Sequence, residues 1–290
     1  MMPESGHKTG FLVTGILVAA GLWFYMFSPW TSQISNFWLN MTASAVILSA
    51  ISICGLRRGF SESADSSGVT HDDGQASMPQ AKHRWLLPSD GEPLRIFGFE
   101  LRWKWLDGII GNDGPRRDGG VAASVKDGID DEASSDGRAF WKKAVTQVII
   151  GVAVAFALWG VFWIGDKVSQ LIFDFARGQV DNVYGMKSGV SPALITVLLL
   201  FLIGPAEEFF WRGFVQRMMS ERIGATAAMF VTVVIYALVH IWSFNFMLVM
   251  AALVAGAVWG FIYRLKPSLL PALIISHALW DALVFVLLPI

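Results

Sequence analysis

The chain has 290 residues, of which 54% are hydrophobic and only 16% charged, whereas soluble domains run nearer a quarter charged. A formal net charge of −1 leaves no basic field for nucleic acid, and a mean hydropathy of +0.52 points to folding in a bilayer. The single cysteine, Cys54, excludes an intrachain disulfide and, standing in an apolar run, reads as an inert buried thiol.

Crossing the hydrocarbon takes about 20 apolar residues. Residues 11–28 meet that requirement, with Trp23 and Trp30 as interfacial anchors. Residues 37–56 give a second span. The first span lacks a clear small-residue cleavage site and leads straight into the second, so it reads as an uncleaved anchor. Residues 57–143 are a polar excursion carrying 13 of the 22 Lys and Arg and 15 of the 23 Asp and Glu. The Ser/Asp/Gly-rich stretches 61–77 and 127–138 cannot bury much apolar surface and are expected to be disordered. Between them the aromatic, partly basic run 94–110 reads as a small folded element or a membrane-surface segment. Residues 144–164 form a third span, 166–189 include an interfacial helix, and 191–213, 224–243, 246–263 and 269–289 complete seven. The expected fold is therefore all-α: a polytopic transmembrane bundle with a hairpin at 1–56, a largely disordered cytoplasmic loop at 57–143 and a membrane core at 144–290.

Lys and Arg near the span ends set orientation. Arg57, Arg58, Lys142 and Lys143 flank the long loop, Arg217 and Arg222 follow the fourth span, and Arg264 and Lys266 follow the sixth. The N-terminus and long loop are predicted cytoplasmic and the C-terminus outside, in a cell or plasma membrane. With one bilayer per span, Glu207 lies toward the cytoplasmic side and His240 toward the other.

Ionisable groups at the centre of a membrane helix cost at least about 2.5 kcal/mol each on insertion scales, and they persist where they face a cavity or one another. Only nine charged side chains occur in 191–290, so each invites a functional reading. Glu207 and Glu208 follow Gly204–Pro205. Adjacent helical residues point about 100° apart, so the two carboxylates have different roles. Glu208 and Arg212 stand at i and i+4 and can pair. That leaves Glu207 unpaired in an apolar setting, which suits a general base. Tyr236 and His240 lie one turn apart on the fifth span, and His277 and Asp281 one turn apart on the last. His–Asp at this spacing can be an oriented imidazole, a metal pair or two groups aimed at one substrate atom. Glu with His, without a nucleophilic Ser or Cys or an HExxH helix, suits activation of water.

These motifs, Glu207-Glu208-Phe-Phe-Trp-Arg212, Tyr236-Ala-Leu-Val-His240 and His277-Ala-Leu-Trp-Asp281, resemble in type and order those of the CPBP (CAAX protease and bacteriocin-processing, or Abi) family of intramembrane endopeptidases, over about 190–290. Tyr236 stands where Phe is more usual, and Asp281 where Asn is common. The resemblance implies Glu207 as general base and His240 as its partner on the attacking water. It places His277 and Asp281 at the scissile carbonyl, with Glu208 and Arg212 as a structural ion pair. It also implies a membrane-anchored or lipidated peptide or protein as substrate. An ionised Asp281 cannot donate to an oxyanion as Asn can, so it would be protonated or would orient His277. The family has been described as metalloproteases too. Glu207, His240 and His277 could hold zinc with an open position, but nothing in the sequence demands a metal, and the expectation is no cofactor.

Two other classes remain open at this point. Intramembrane Glu, His and Asp also make proton relays in transporters, although here the groups are confined to one half of the chain. A non-catalytic membrane scaffold or immunity protein is the third reading.

Overall fold

The computed structural model describes residues 4–66, 95–96, 99–100 and 126–290. Eight helices carry most of these residues: α1 (Glu4–Phe27), α2 (Phe37–Ser66), α3 (Lys126–Ile172), α4 (Ala176–Gly185), α5 (Pro192–Ile223), α6 (Ala225–Ser243), α7 (Phe246–Leu265) and α8 (Pro267–Leu287). All but α4 are long and apolar enough to cross a membrane, giving seven spans among the described residues. Helices suit such sequences because each satisfies its backbone groups internally where no water is available. The short helix α4 falls in the stretch expected to hold an interfacial helix.

The long polar region is not unstructured at its two ends. The second helix runs on to Ser66 and the third starts at Lys126, and Arg95–Ile96 pairs antiparallel with Phe99–Glu100. The rest of the disorder expected there, including most of 61–77 and 94–110, lies outside the described residues.

The chain divides into two compact units, Pro79–Ile149 and a larger one of Met1–Met78 with Ile150–Ile290. The smaller unit holds the strand pair and the first part of α3. Within the larger unit the N-terminal hairpin, read from sequence as a region of its own, shares a core with the C-terminal helices. Trp23, Met26 and Leu48 pack with Phe210, Trp211 and Phe214. Two sequence readings are overturned here. Trp23 is not an interfacial anchor but a fully buried side chain, 1% exposed, whereas Trp30 is 68% exposed. Cys54 is exposed on the outer face of α2 rather than buried.

The largest boundary correction concerns α5. The run QRMMSERIG reads as a connection from its polar residues, but the helix continues through it to Ile223. Gln216 is buried and donates to the Gly260 carbonyl at 2.9 Å, and Met218 is buried as well. Gly224, with φ +82°, then turns the chain directly into α6. Glu207 stands 16 residues before Ile223, and His240 16 residues after Gly224. The two are therefore level along the paired helices, and the expected difference in depth disappears.

The fifth helix is not a regular α-helix. Leu199–Ile203 and Phe209–Gln216 are π-type turns on either side of an α-helical Gly204–Glu208. Such turns are widened by an extra residue and occur often at functional sites. Loops elsewhere are tied down locally. Asn245 caps α7 by accepting from the Leu248 amide at 2.9 Å, and its side-chain amide donates to the Gln179 carbonyl of α4 at 2.7 Å. Lys187 donates to the Phe285 carbonyl at 2.7 Å, and burial pulls its ammonium below the ordinary lysine pKa.

Candidate active site

Four elements supply the polar residues: the middle of α5, the last turn of α6, the middle of α7 and the middle of α8. Two glycines make their approach possible. A Cβ on Gly204 would lie 2.7 Å from the Ala278 Cα and 2.9 Å from its nitrogen, so α5 and α8 touch backbone to backbone beside Glu207, Glu208 and His277. A Cβ on Gly256 of α7 would lie 2.8 Å from Cδ1 of Tyr236.

The neighbouring carboxylates turn to different partners, as their angular separation requires. Glu208 Oε1 accepts from Arg212 Nη1 at 2.6 Å and from His277 Nδ1 at 2.8 Å. A carboxylate only accepts, so His277 carries its proton on Nδ1. Arg212 also donates through Nη2 to the Gly256 carbonyl at 3.1 Å and lies over the rings of Tyr236 and Trp259, 5.1 and 5.5 Å from their centroids. The other nitrogen of His277, Nε2, is 3.5 Å from Asp281 Oδ2. Trp259 stacks on the imidazole with centroids 4.0 Å apart and donates its indole N–H to Ser276 at 3.1 Å. Arg212, Glu208, His277 and Asp281 thus form one continuous chain of ionisable groups over one turn of α5 and one turn of α8.

Glu207 belongs to a second chain. Its Oε2 accepts from the Tyr236 hydroxyl at 3.0 Å. Among the described residues its Oε1 has no hydrogen bond, and no Lys, Arg or His forms an ion pair with it. The residue is 4% exposed. His240, 7% exposed, is one turn beyond Tyr236, where α6 tightens into the 3₁₀ turn His240–Ser243. Its Nε2 accepts from the Trp23 indole at 3.1 Å, so Nδ1 bears the proton and donates to the Tyr236 carbonyl at 2.7 Å.

The site residues read from sequence therefore gather on two chains that meet at the adjacent pair Glu207–Glu208. His240 and Glu207 share no direct hydrogen bond, and Tyr236 connects them. Both ring nitrogens of His240 are engaged. Trp23 is the residue that sequence reasoning missed, because 217 positions separate it from its partner and an apolar first span gives no sign of it.

Zinc would need lone pairs from Glu207, His240 and His277. His240 offers no lone pair outside its bond to Trp23, and His277 Nδ1 is held on Glu208. Among the described residues no three His, Cys, Asp or Glu are grouped to hold a metal ion.

A prediction follows from the contact at Gly256. Gly256→Ala pushes the Tyr236 ring away and lengthens its bond to Glu207. Misplacement of order 1 Å costs about 10–100-fold in rate, and overpacking costs about 1–3 kcal/mol. Activity should thus fall in a protein that still folds, as read by cleavage rate beside a thermal melt.

Residues 189–283 match the family model described as type II CAAX prenyl endopeptidase Rce1-like. That stretch spans α5 to α8 and every motif residue above, about a third of the chain. The C-terminal block thus carries the CAAX-protease resemblance that its motifs led one to expect. No curated protein and no solved structure gave a significant match to the chain.

Proposed function

Given that match, we propose that this integral membrane protein is an intramembrane endopeptidase that hydrolyses a peptide bond in a membrane-anchored or lipidated substrate. The observation that best supports it is Glu207. It is a carboxylate buried at mid-length of a span, oriented by the Tyr236 hydroxyl and in no ion pair among the described residues, while the carboxylate beside it is tied through Oε1 to both Arg212 and His277.

In this reading Glu207 Oε1 takes a proton from water as the water oxygen attacks the scissile carbonyl carbon. The same proton passes to the leaving nitrogen when the C–N bond breaks. A proton shared between His277 Nε2 and Asp281 is the donor for the oxyanion. Glu208 and Arg212 hold His277, Tyr236 holds Glu207, and no metal takes part. The N-terminus and long loop are assigned to the cytoplasm and the C-terminus to the other side.

His240 is a positioning residue here, fixing Tyr236 through its carbonyl. Packed core side chains such as Trp23 do not leave easily. Trp23→Phe should then lower kcat about tenfold, as loss of an outer hydrogen bond often does, with KM little changed. A rise in kcat would show instead that Trp23 competes with a catalytic water for Nε2, and would put His240 on that water.

The experiment on the reading as a whole is cleavage of a panel of lipidated and plain peptides by purified protein, before and after exhaustive chelation. We expect one class of lipidated peptide to be cut at an unchanged rate after chelation. A loss restored by zinc would overturn the metal-free mechanism.

A further inference from the structure

A second feature lies away from the two polar chains. Between α3, α4, α7 and the end of α8 is a cavity of about 410 Å³, within the range of about 300–1,000 Å³ usual for small-molecule sites. Its walls include Phe162, Tyr184, Met250, Ala251 and Trp280, and none of the catalytic candidates lines it. Val168, Ile172 and Phe246 on its rim are 46%, 64% and 44% exposed, so it opens sideways on the face that the spans turn to lipid.

One charged side chain lines this apolar space. Asp166 of α3 is 5% exposed. Its Oδ2 accepts from Gln170 at 2.6 Å and from Lys167 at 3.2 Å, both on its own helix. Its Oδ1 is buried and has no hydrogen-bond partner among the described residues. Of the other polar side chains of the cavity, Tyr184 and Ser169 are already used, while the buried Trp280 indole N–H has no acceptor among the described residues. The Tyr184 hydroxyl donates to the Val284 carbonyl and accepts from the Ile290 amide, both at 3.0 Å, and Ser169 donates to the Asp166 carbonyl at 2.9 Å. A buried acceptor left without a donor costs about 1–3 kcal/mol or more. Among the described residues Asp166 makes no hydrogen bond or ion pair that joins α3 to another helix.

We infer that this cavity is a binding site for a single-chain amphiphile with a protonated amine head: the hydrocarbon fills the apolar walls and the ammonium donates to Asp166 Oδ1. The size suits one chain rather than two. The charge sets the selectivity. An ammonium supplies the missing donor, whereas a fatty carboxylate brings a second negative charge to a buried oxygen and supplies none. The site is separate from the proposed peptidase centre, so either can stand without the other.

The test uses the full chain in phosphatidylcholine nanodiscs, a photoactivatable dodecylamine bearing a diazirine, and unlabelled dodecylamine and dodecanoate as competitors. Labelled positions are located by peptide mass spectrometry. We expect labelling at 161–173 and 246–254. Dodecylamine should compete roughly ten- to a hundredfold better than dodecanoate, the worth of one charge-assisted hydrogen bond. Asp166→Asn, which keeps the shape, should remove that preference. Ala251→Trp, which fills the cavity, should abolish labelling there. Equal competition by dodecanoate, or labelling at those segments that survives Ala251→Trp, overturns the assignment.

Discussion

Glu207→Gln should abolish measurable cleavage while leaving the fold at least as stable as the wild type. Gln has nearly the shape of Glu, and its side-chain oxygen still accepts from the Tyr236 hydroxyl, which now stands 3.0 Å from Glu207 Oε2. What it lacks is the ability to take a proton. Removing a general base costs roughly 10²–10⁴-fold. Because a carboxylate held by one hydroxyl and no ion pair is replaced by a neutral amide in a site only 4% exposed, the burial penalty falls rather than rises. Cleavage rate and melting temperature measured on one preparation check both halves. Unfolding of the variant would mean that Glu207 is structural, and wild-type cleavage would mean that it is not the base.

The second large effect is on stability. Arg212→Ala leaves Glu208, fully buried, with only His277 on its carboxylate. It also removes the donor to the Gly256 carbonyl and the cation between the rings of Tyr236 and Trp259. Breaking a buried pair from one side costs about 3–5 kcal/mol, whereas replacing both partners with neutral groups of similar volume is often close to neutral. Arg212→Ala should therefore melt far below the wild type, and the double variant Glu208→Gln with Arg212→Met should recover most of the loss. Equal melting of all three would show that the pair contributes nothing.

The seven spans were legible because long apolar runs admit few alternatives, and the Glu208–Arg212 and His277–Asp281 pairs because helical spacing alone brings i and i+4 together. Contacts between distant helices were not. Nothing in the first span marks Trp23 as the partner of His240, since a membrane Trp reads equally as an interfacial anchor. The far end of α5 was missed because Gln216 looks like a loop residue until the Gly260 carbonyl that satisfies it is in view. Cys54 was misplaced for a related reason: hydropathy gives the depth of a residue in a span but not the face it occupies. Gly204 and Gly256 are the positions where composition could have said more. Both admit a close approach that a Cβ would block, and both lie beside the residues assigned to chemistry.

Peptide-bond hydrolysis by Glu207-activated water would leave an isotopic record in its products. The most direct measurement is mass analysis of the products formed from a lipidated peptide in heavy-oxygen water, by the wild type and Glu207→Gln side by side. Two fragments are expected from the wild type, with one heavy oxygen in the newly formed carboxylate, and intact peptide from the variant. Intact peptide from folded wild type across the whole panel, or identical fragments from both proteins, would rule out hydrolysis by Glu207-activated water.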